Sequence, residues 1–229
     1  MLAFNLLTQL VSLARSTPAL CICDDATFLP WRSWTQIAAL SQRERIVVVV
    51  PIAGMADHGP RLPLDAEEQV LLRVVREASL RRDAGVELLV VPPLRFVTGP
   101  AVGCVFTVEP PVAHAFIDEV CASLAASGFR KIVLCNASPW NEELCDAAAR
   151  DIRIARGLQM FCVNLSALGL GFTDENKAEL ERVAMLPVDA NDEHVQQAGK
   201  QLSGLFAEID RRPALPNHGS LSMMTAPVS

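Results

Sequence analysis

Imidazole, carboxylate and hydroxyl groups crowd two short stretches of this chain. Between Pro51 and Glu68 the sequence reads PIAGMADHGPRLPLDAEE, which sets His58 among Asp57, Asp65, Glu67 and Glu68. These are the residue types that acid–base and cation chemistry use, so the stretch is the candidate active site. The second stretch, Ser138-Pro139-Trp140-Asn141, offers a hydroxyl. Ser138 acts as a nucleophile only with a base beside it, and His58 is the one candidate. Each residue also has a structural reading. His58 can fix its own turn by a hydrogen bond. Glu67 and Glu68 can be first-turn acids favoured by a helix dipole. Ser138 and Asn141 can cap a helix, and Trp140 can line an apolar pocket or simply pack. His114 and His194 fall on helices without a ligand-spaced partner and read as surface residues, and His218 lies in the tail.

Composition limits what such a site can serve. The 229 residues are 51% hydrophobic, with a mean hydropathy of +0.28 and a formal net charge of −6. The length suffices for a substantial core. No stretch reaches the ~18 uninterrupted apolar residues of a membrane span, so the apolar excess points to a buried parallel sheet or an oligomer interface. The negative charge argues against nucleic acid as a partner. The N-terminus, MLAFNLLTQLVSLARSTPALC, lacks a basic leading region and is interrupted by Arg15, so it is not read as a signal peptide. Cys21, Cys23, Cys104, Cys121, Cys135, Cys145 and Cys162 are odd in number and mostly sit in apolar runs. That pattern predicts buried free thiols and a cytoplasmic location. Cys21-Ile-Cys23 has metal-binding spacing, but no second cysteine or histidine pair accompanies it, so strand or loop packing is the expectation.

The elements that must position these groups alternate strand and helix. Residues 2–15 space their leucines as an amphipathic helix. Trp34 opens a short helix to about Gln42. Ile46–Ile52 is a continuous β-branched run, as in a central parallel strand covered on both faces. A loop at 53–64 follows, and Asp65 is a plausible N-cap for a helix through Asp83. Val86–Val91 is the second strand, Pro92–Glu109 is irregular, and Pro110 and Pro111 start a helix to about Ser127 with Gly128 in the C′ place. Lys131–Asn136 is the third strand, followed by a turn into a helix to Arg156, and Leu158–Leu165 is the fourth. Gly169–Phe172 is a loop, Thr173 or Asp174 caps a helix to about Met185, and residues 192–211 form the last helix. The expected fold is a three-layer α/β/α sandwich with a mostly parallel central sheet. It forms a single domain over residues 1–212, and 213–229 is a disordered tail. Ligands in such folds sit beyond the carboxyl ends of the strands, where 53–64 and 137–141 lie. The signatures of dinucleotide, NTP and α/β-hydrolase sites are missing. A nucleotide-binding reading would rest on Ser138 and the helix start at 139–141 alone.

The sequence resembles the creatininase (creatinine amidohydrolase) family. Its members read PxGSxEQHGPHLPLxTD after a buried strand, and here His58-Gly59-Pro60 and Leu62-Pro63-Leu64 match in identity and spacing. A second segment, Gly128-Phe129-Arg130-Lys131-Ile132-Val133-Leu134-Cys135-Asn136, is similar to the family's run into NGHGGN. The resemblance covers roughly residues 30–210 and implies the family's fold and oligomers. The family holds two divalent metals, with ligands at positions that here are Ala56, His58, Glu67 and Ser138. Trp140 stands where creatininase has a further acidic ligand, and a late acidic segment, due between about 164 and 184, has no counterpart. The resemblance thus leaves His58 and Glu67 as residual metal ligands, with Ala56, Asp57, Ser138, Trp140 and Asn141 lining the pocket. Two functions follow. One is a non-catalytic structural or regulatory subunit, or a small-molecule binder, that has lost the dinuclear site and holds no cofactor or at most one weakly bound Zn or Mn. The other is a metal-dependent amidohydrolase acting on a cyclic or linear amide, with a rearranged or single-metal site completed by Asp57, Asp65 or a partner chain. The expected assembly is a homo-oligomer, or a heteromer with an intact paralogue, with no nucleic-acid or membrane partner.

Overall fold

A computed structural model describes residues 24, 26–95, 97–100, 103–187 and 190–213. The helix expected at 2–15, the Cys21 and Cys23 pair and the tail beyond 213 lie outside the described residues. The strands are β1 (Val47–Ile52), β2 (Met55–Ala56), β3 (Leu88–Val90), β4 (Cys104–Phe106), β5 (Lys131–Asn136) and β6 (Gln159–Asn164). The helices are α1 (Trp34–Ala38), α2 (Ala66–Arg81), α3 (Pro110–Ala126), α4 (Glu142–Arg156), α5 (Lys177–Ala184) and α6 (Glu193–Arg211).

Every residue of β1 is buried, as a β-branched run requires when both faces of its strand are covered. It pairs in parallel with β3 on one side and β5 on the other, and the four-stranded parallel sheet runs β3-β1-β5-β6. Side chains alternate across the sheet and build two cores. Val47, Val49, Val133 and Cys135 pack with Val70 and Val74 of α2, Leu180 of α5 and Leu202 of α6. Val48, Val50, Ile132 and Leu134 pack with Ile117 of α3 and Ile152 of α4. Helices therefore cover both faces, and the α/β/α sandwich is as expected.

Two buried cations pin the helices. Lys131 Nζ donates to the carbonyls of Ile209 and Asp210, closing the last turn of α6, and burial lowers its pKa. Arg73 of α2 donates to the carbonyls of Leu186 and Pro187, which holds the turn after α5.

Several boundaries differ from the sequence reading. α1 stops at Ala38, α2 at Arg81, and β3 is only three residues long, with Val86 N–H held by Asp83 O in a turn before it. The segment after Pro92 is not wholly irregular. Its residues Cys104–Phe106 pair antiparallel with Met55–Ala56, so the loop at 53–64 also contains a strand. Asp65 occupies the N-cap position but makes no capping bond: its ψ of 16° leaves the extended conformation that a cap needs, and its Oδ2 accepts from Gln69 Nε2 instead. Asn141 stands at the N-cap of α4 and Ser138 before a 3-10 turn, Pro139–Asn141, and neither side chain caps. A 3-10 turn at Asp174–Asn176 takes up Asp174, one of the two expected caps, and Asn176 stands at the N-cap of α5 instead.

Candidate functional site

β1 ends at Ile52, and the chain turns through Ala53 and Gly54 past the first turn of α2. That turn brings Glu67 inward rather than to solvent. Its carboxylate is fully buried, Oε2 accepts the Gly54 N–H, and Oε1 lies 2.9 Å from His58 Nε2. The approach to Gly54 is close: a Cβ there would meet Glu67 Oε2 at 3.1 Å and Ser138 Oγ at 3.5 Å. The His58 imidazole is wedged between aromatic rings, with centroids 4.4 Å from Phe172 and 5.3 Å from Trp140. Leu62 and Leu180 join Asp57, His58, Trp140 and Phe172 around a cavity of about 310 Å³.

The other acids of the stretch turn elsewhere. Glu68 is buried and takes a bidentate pair of bonds from Arg95, at 2.6 and 2.7 Å, which raises the Arg95 pKa. Asp57 Oδ1 accepts from Gly59 N at 2.7 Å, and Asp65 is bonded to Gln69. Of the acids near His58 in sequence, Glu67 is the one that meets the imidazole.

Three residues expected at the pocket are not on its wall. Ala56 is buried in β2. Asn141 is buried and spends its amide on Thr98: Oδ1 accepts from Thr98 N and Oγ1, and Nδ2 donates to Thr98 O. Ser138 is buried beneath Gly54, its main chain clasped by Asn136, whose Oδ1 accepts from Ser138 N and whose Nδ2 donates to Ser138 O. The Ser138 Oγ has no hydrogen-bond partner among the described residues. The Ser138–His58 nucleophile pair is therefore not formed, and the enclosed hydroxyl is not open to a phosphate.

A second cluster escaped the sequence reading. Glu179 of α5, Asp192 and His194 converge, and together they could hold a metal ion. Arg182 stands in the same cluster, paired with Asp192 and Glu179 and 3.3 Å from His194 Nδ1. The guanidinium thus offsets one of the two carboxylate charges, and His194 Nδ1 lies 2.7 Å from Glu179 Oε1. The available signal was Asp192 followed two residues on by His194 at a helix start. Its meaning depended on α5 folding back beside it.

The creatininase family model, described as creatinine amidohydrolase, matches residues 32–203. Among solved structures, the chain superimposes on a protein from Bacteroides fragilis NCTC 9343 provisionally named creatinine amidohydrolase, with a TM-score of 0.60 and 16% identity over 84% of this chain and 100% of that one. It also superimposes on creatininase (TM-score 0.51, 18% identity, 63% of this chain and 60% of that one). A third match is a structure named Creatininase Mn (TM-score 0.50, 19% identity, 62% of this chain and 60% of that one). At these identities the structural likeness is one of fold, and this chain spans about three-fifths of the creatininase chain. A search of curated proteins returned no match. With the family model matching from residue 32 to 203, and a shared overall fold beside it, the chain belongs to the creatininase (creatinine amidohydrolase) family.

Proposed function

We propose that this chain has lost the dinuclear metal chemistry of its family and serves as a non-catalytic structural or regulatory subunit, or as a binder of a small molecule. The observation that carries this reading is the occupancy of the Glu67 carboxylate. An acid that bridges two cations needs one oxygen for each. Here the Gly54 N–H is aimed at Oε2, which puts the positive end of a dipole where a second cation would sit. The remaining donors are too few. Ala56 brings no donor atom, the Ser138 hydroxyl is a neutral and weak ligand, and Asp57, Asp65 and Glu68 are engaged elsewhere. Two metals do not fit this donor set, so no bridging water is activated. What persists is the cavity, where Asp57, His58 and Thr173 face Leu62, Trp140, Phe172 and Leu180, within the size range of small-molecule sites. Exposed Trp34, Ile154 and Met185 supply apolar surface for assembly, with a second copy or with an intact paralogue in the cytoplasm.

The His58–Glu67 spacing favours one alternative, a metal-dependent amidohydrolase with a single-metal site. Two ligands each about 2.1 Å from one cation stand roughly 3 Å apart, close to the 2.9 Å between Nε2 and Oε1. Forms of creatininase are named for Mn and for a Zn–Zn type. Elemental analysis of the purified chain decides between the readings. The expected result is far less than one Zn or Mn per chain, unchanged in His58→Ala, with no hydrolysis of creatinine. Near-stoichiometric metal that disappears in His58→Ala would overturn the non-catalytic reading.

A further inference from the structure

Beside β3 the surface folds into a groove of about 430 Å³ that shares no lining residue with the His58 cavity. Arg32, Arg82 and Glu87 bring charge to it. These charges are met unequally. Arg82 is already engaged: its Nη1 donates to Ser79 O and stands 3.5 Å from Asp24 Oδ2. Arg32 has no carboxylate partner among the described residues. Its Nη2 donates to Ala26 O at 2.6 Å, and its Nε is enclosed without an acceptor among the described residues. Glu87 is exposed on the groove and makes no ion pair among the described residues. One cation and one anion thus line a single groove, each without a counter-charge, and they do not meet each other. The main chain adds a donor and an acceptor. Val47 N donates to Glu87 O and Val91 N donates to Val49 O, so alternate residues of this segment bond to β1. Leu88 lies between them on an edge strand, with its N–H and C=O turned outward at the groove. The next outward amide, Val90 N–H, is taken by Thr27 O at 2.9 Å. Leu40 and Leu80 supply apolar surface, and Leu80 is 55% exposed there.

We propose that this groove binds a free α-amino acid with an apolar side chain. The carboxylate of the ligand pairs with Arg32, whose planar fork suits a two-oxygen acceptor, and accepts the Leu88 N–H. Its ammonium pairs with Glu87 and donates to Leu88 O. Its side chain lies on Leu40 and Leu80. The charges select this class over its neighbours. A simple carboxylate is opposed by Glu87, and a simple amine is opposed by Arg32. A neutral apolar molecule takes water from both charges and returns nothing. A zwitterion answers both, and the groove is within the size range of small-molecule sites. None of this rests on the reading of the His58 cavity.

An NMR titration of the full-length chain with L-leucine tests this, read at the backbone amides. N-acetyl-L-leucine, which lacks the ammonium, and L-leucinamide, which lacks the carboxylate, serve as comparison probes. The expected result is a saturable shift at Glu87 and Leu88 with none at His58 or Phe172. Affinity should fall by about tenfold or more for each single-charge probe, and equally for leucine on Arg32→Met. The absence of a saturable shift up to about 10 mM leucine overturns the proposal. Equal affinity for either single-charge probe also overturns it, because the charge removed then has no partner in the groove. A saturable shift centred on His58 and Phe172 overturns it too, since the ligand then sits in the other cavity. If Arg32→Met fails to fold, the two probes on the parent chain and leucine on Glu87→Gln decide the matter by the same tenfold criterion.

Discussion

Burying a carboxylate is costly unless its charge is met, and Glu67 is met on both oxygens, by the Gly54 amide and by His58. Beside it, Ser138 is treated differently. Its hydroxyl is enclosed with no partner among the described residues, a state that normally costs stability. Ser138→Ala removes the unmatched group and leaves the main-chain clasp with Asn136 intact. The expected outcome is a denaturation midpoint equal to or above that of the parent, by up to about 1 kcal/mol in unfolding free energy. A clear loss of stability would mean the hydroxyl has a partner in solution, such as a bound ligand or cation.

At the scale of elements, the contact between α2 and α6 and the junction of α5 with α6 hold one helical layer together. Gly199 lets α6 lie directly on α2, since a Cβ there would come within 2.6 Å of Glu77 Cγ and 3.2 Å of Ala78 N. Neither atom is the free end of a flexible side chain. Gly199→Ala is therefore expected to destabilise by about 1–3 kcal/mol, read as a lower urea midpoint, although alanine is the better helix former. Asp192 starts α6 by accepting from His194 N and Val195 N, both at 3.0 Å, and it pairs with Arg182. Burial alone would raise its pKa. The Val195 amide and the Arg182 guanidinium outweigh that, and the carboxyl is held below its ordinary 3.8. A depressed folded-state pKa gives stability that is fully present above the unfolded value and lost as pH falls through the folded one. Asp192→Ala should cost about 1–2 kcal/mol at neutral pH. Measured as unfolding free energy against pH, parent and variant should converge below pH 3.8. A constant gap down to the lowest pH would show that the carboxylate is not the source.

At the scale of the whole molecule, the sheet and its two helical layers seal the central thiols. Cys121 and Cys135 are buried, and burial pushes each up to about 12. Cys121, Cys135, Cys145 and Cys162 are all free. Alkylation at about pH 8, followed by peptide mass analysis, should leave Cys121 and Cys135 unmodified in the native protein and label all seven cysteines in denaturant. Native-state labelling of Cys121 would mean that α3 opens from the sheet. Among the described residues, no helix is long and apolar enough to cross a membrane.

Local pattern alone determined the layered architecture. Strand β5 was legible to its last residue, and β1 to within one, because a β-branched or apolar run between breakers has few alternatives. The His58-Gly59-Pro60 loop and the run into Asn136 were legible as motifs. Only the tertiary structure decided how the site is wired. His58 and Glu67 are nine residues apart and face each other, whereas Asp57, Asp65 and Glu68, all as near or nearer to His58 in sequence except Glu68, are bonded to other partners. The pairing of β2 with β4 and the meeting of Glu179, Asp192 and His194 were likewise invisible beforehand. The physical reason is common to all of them. Which way a polar side chain points depends on backbone dihedrals and on partners brought in from distant segments, and neither is encoded in residue type or local spacing.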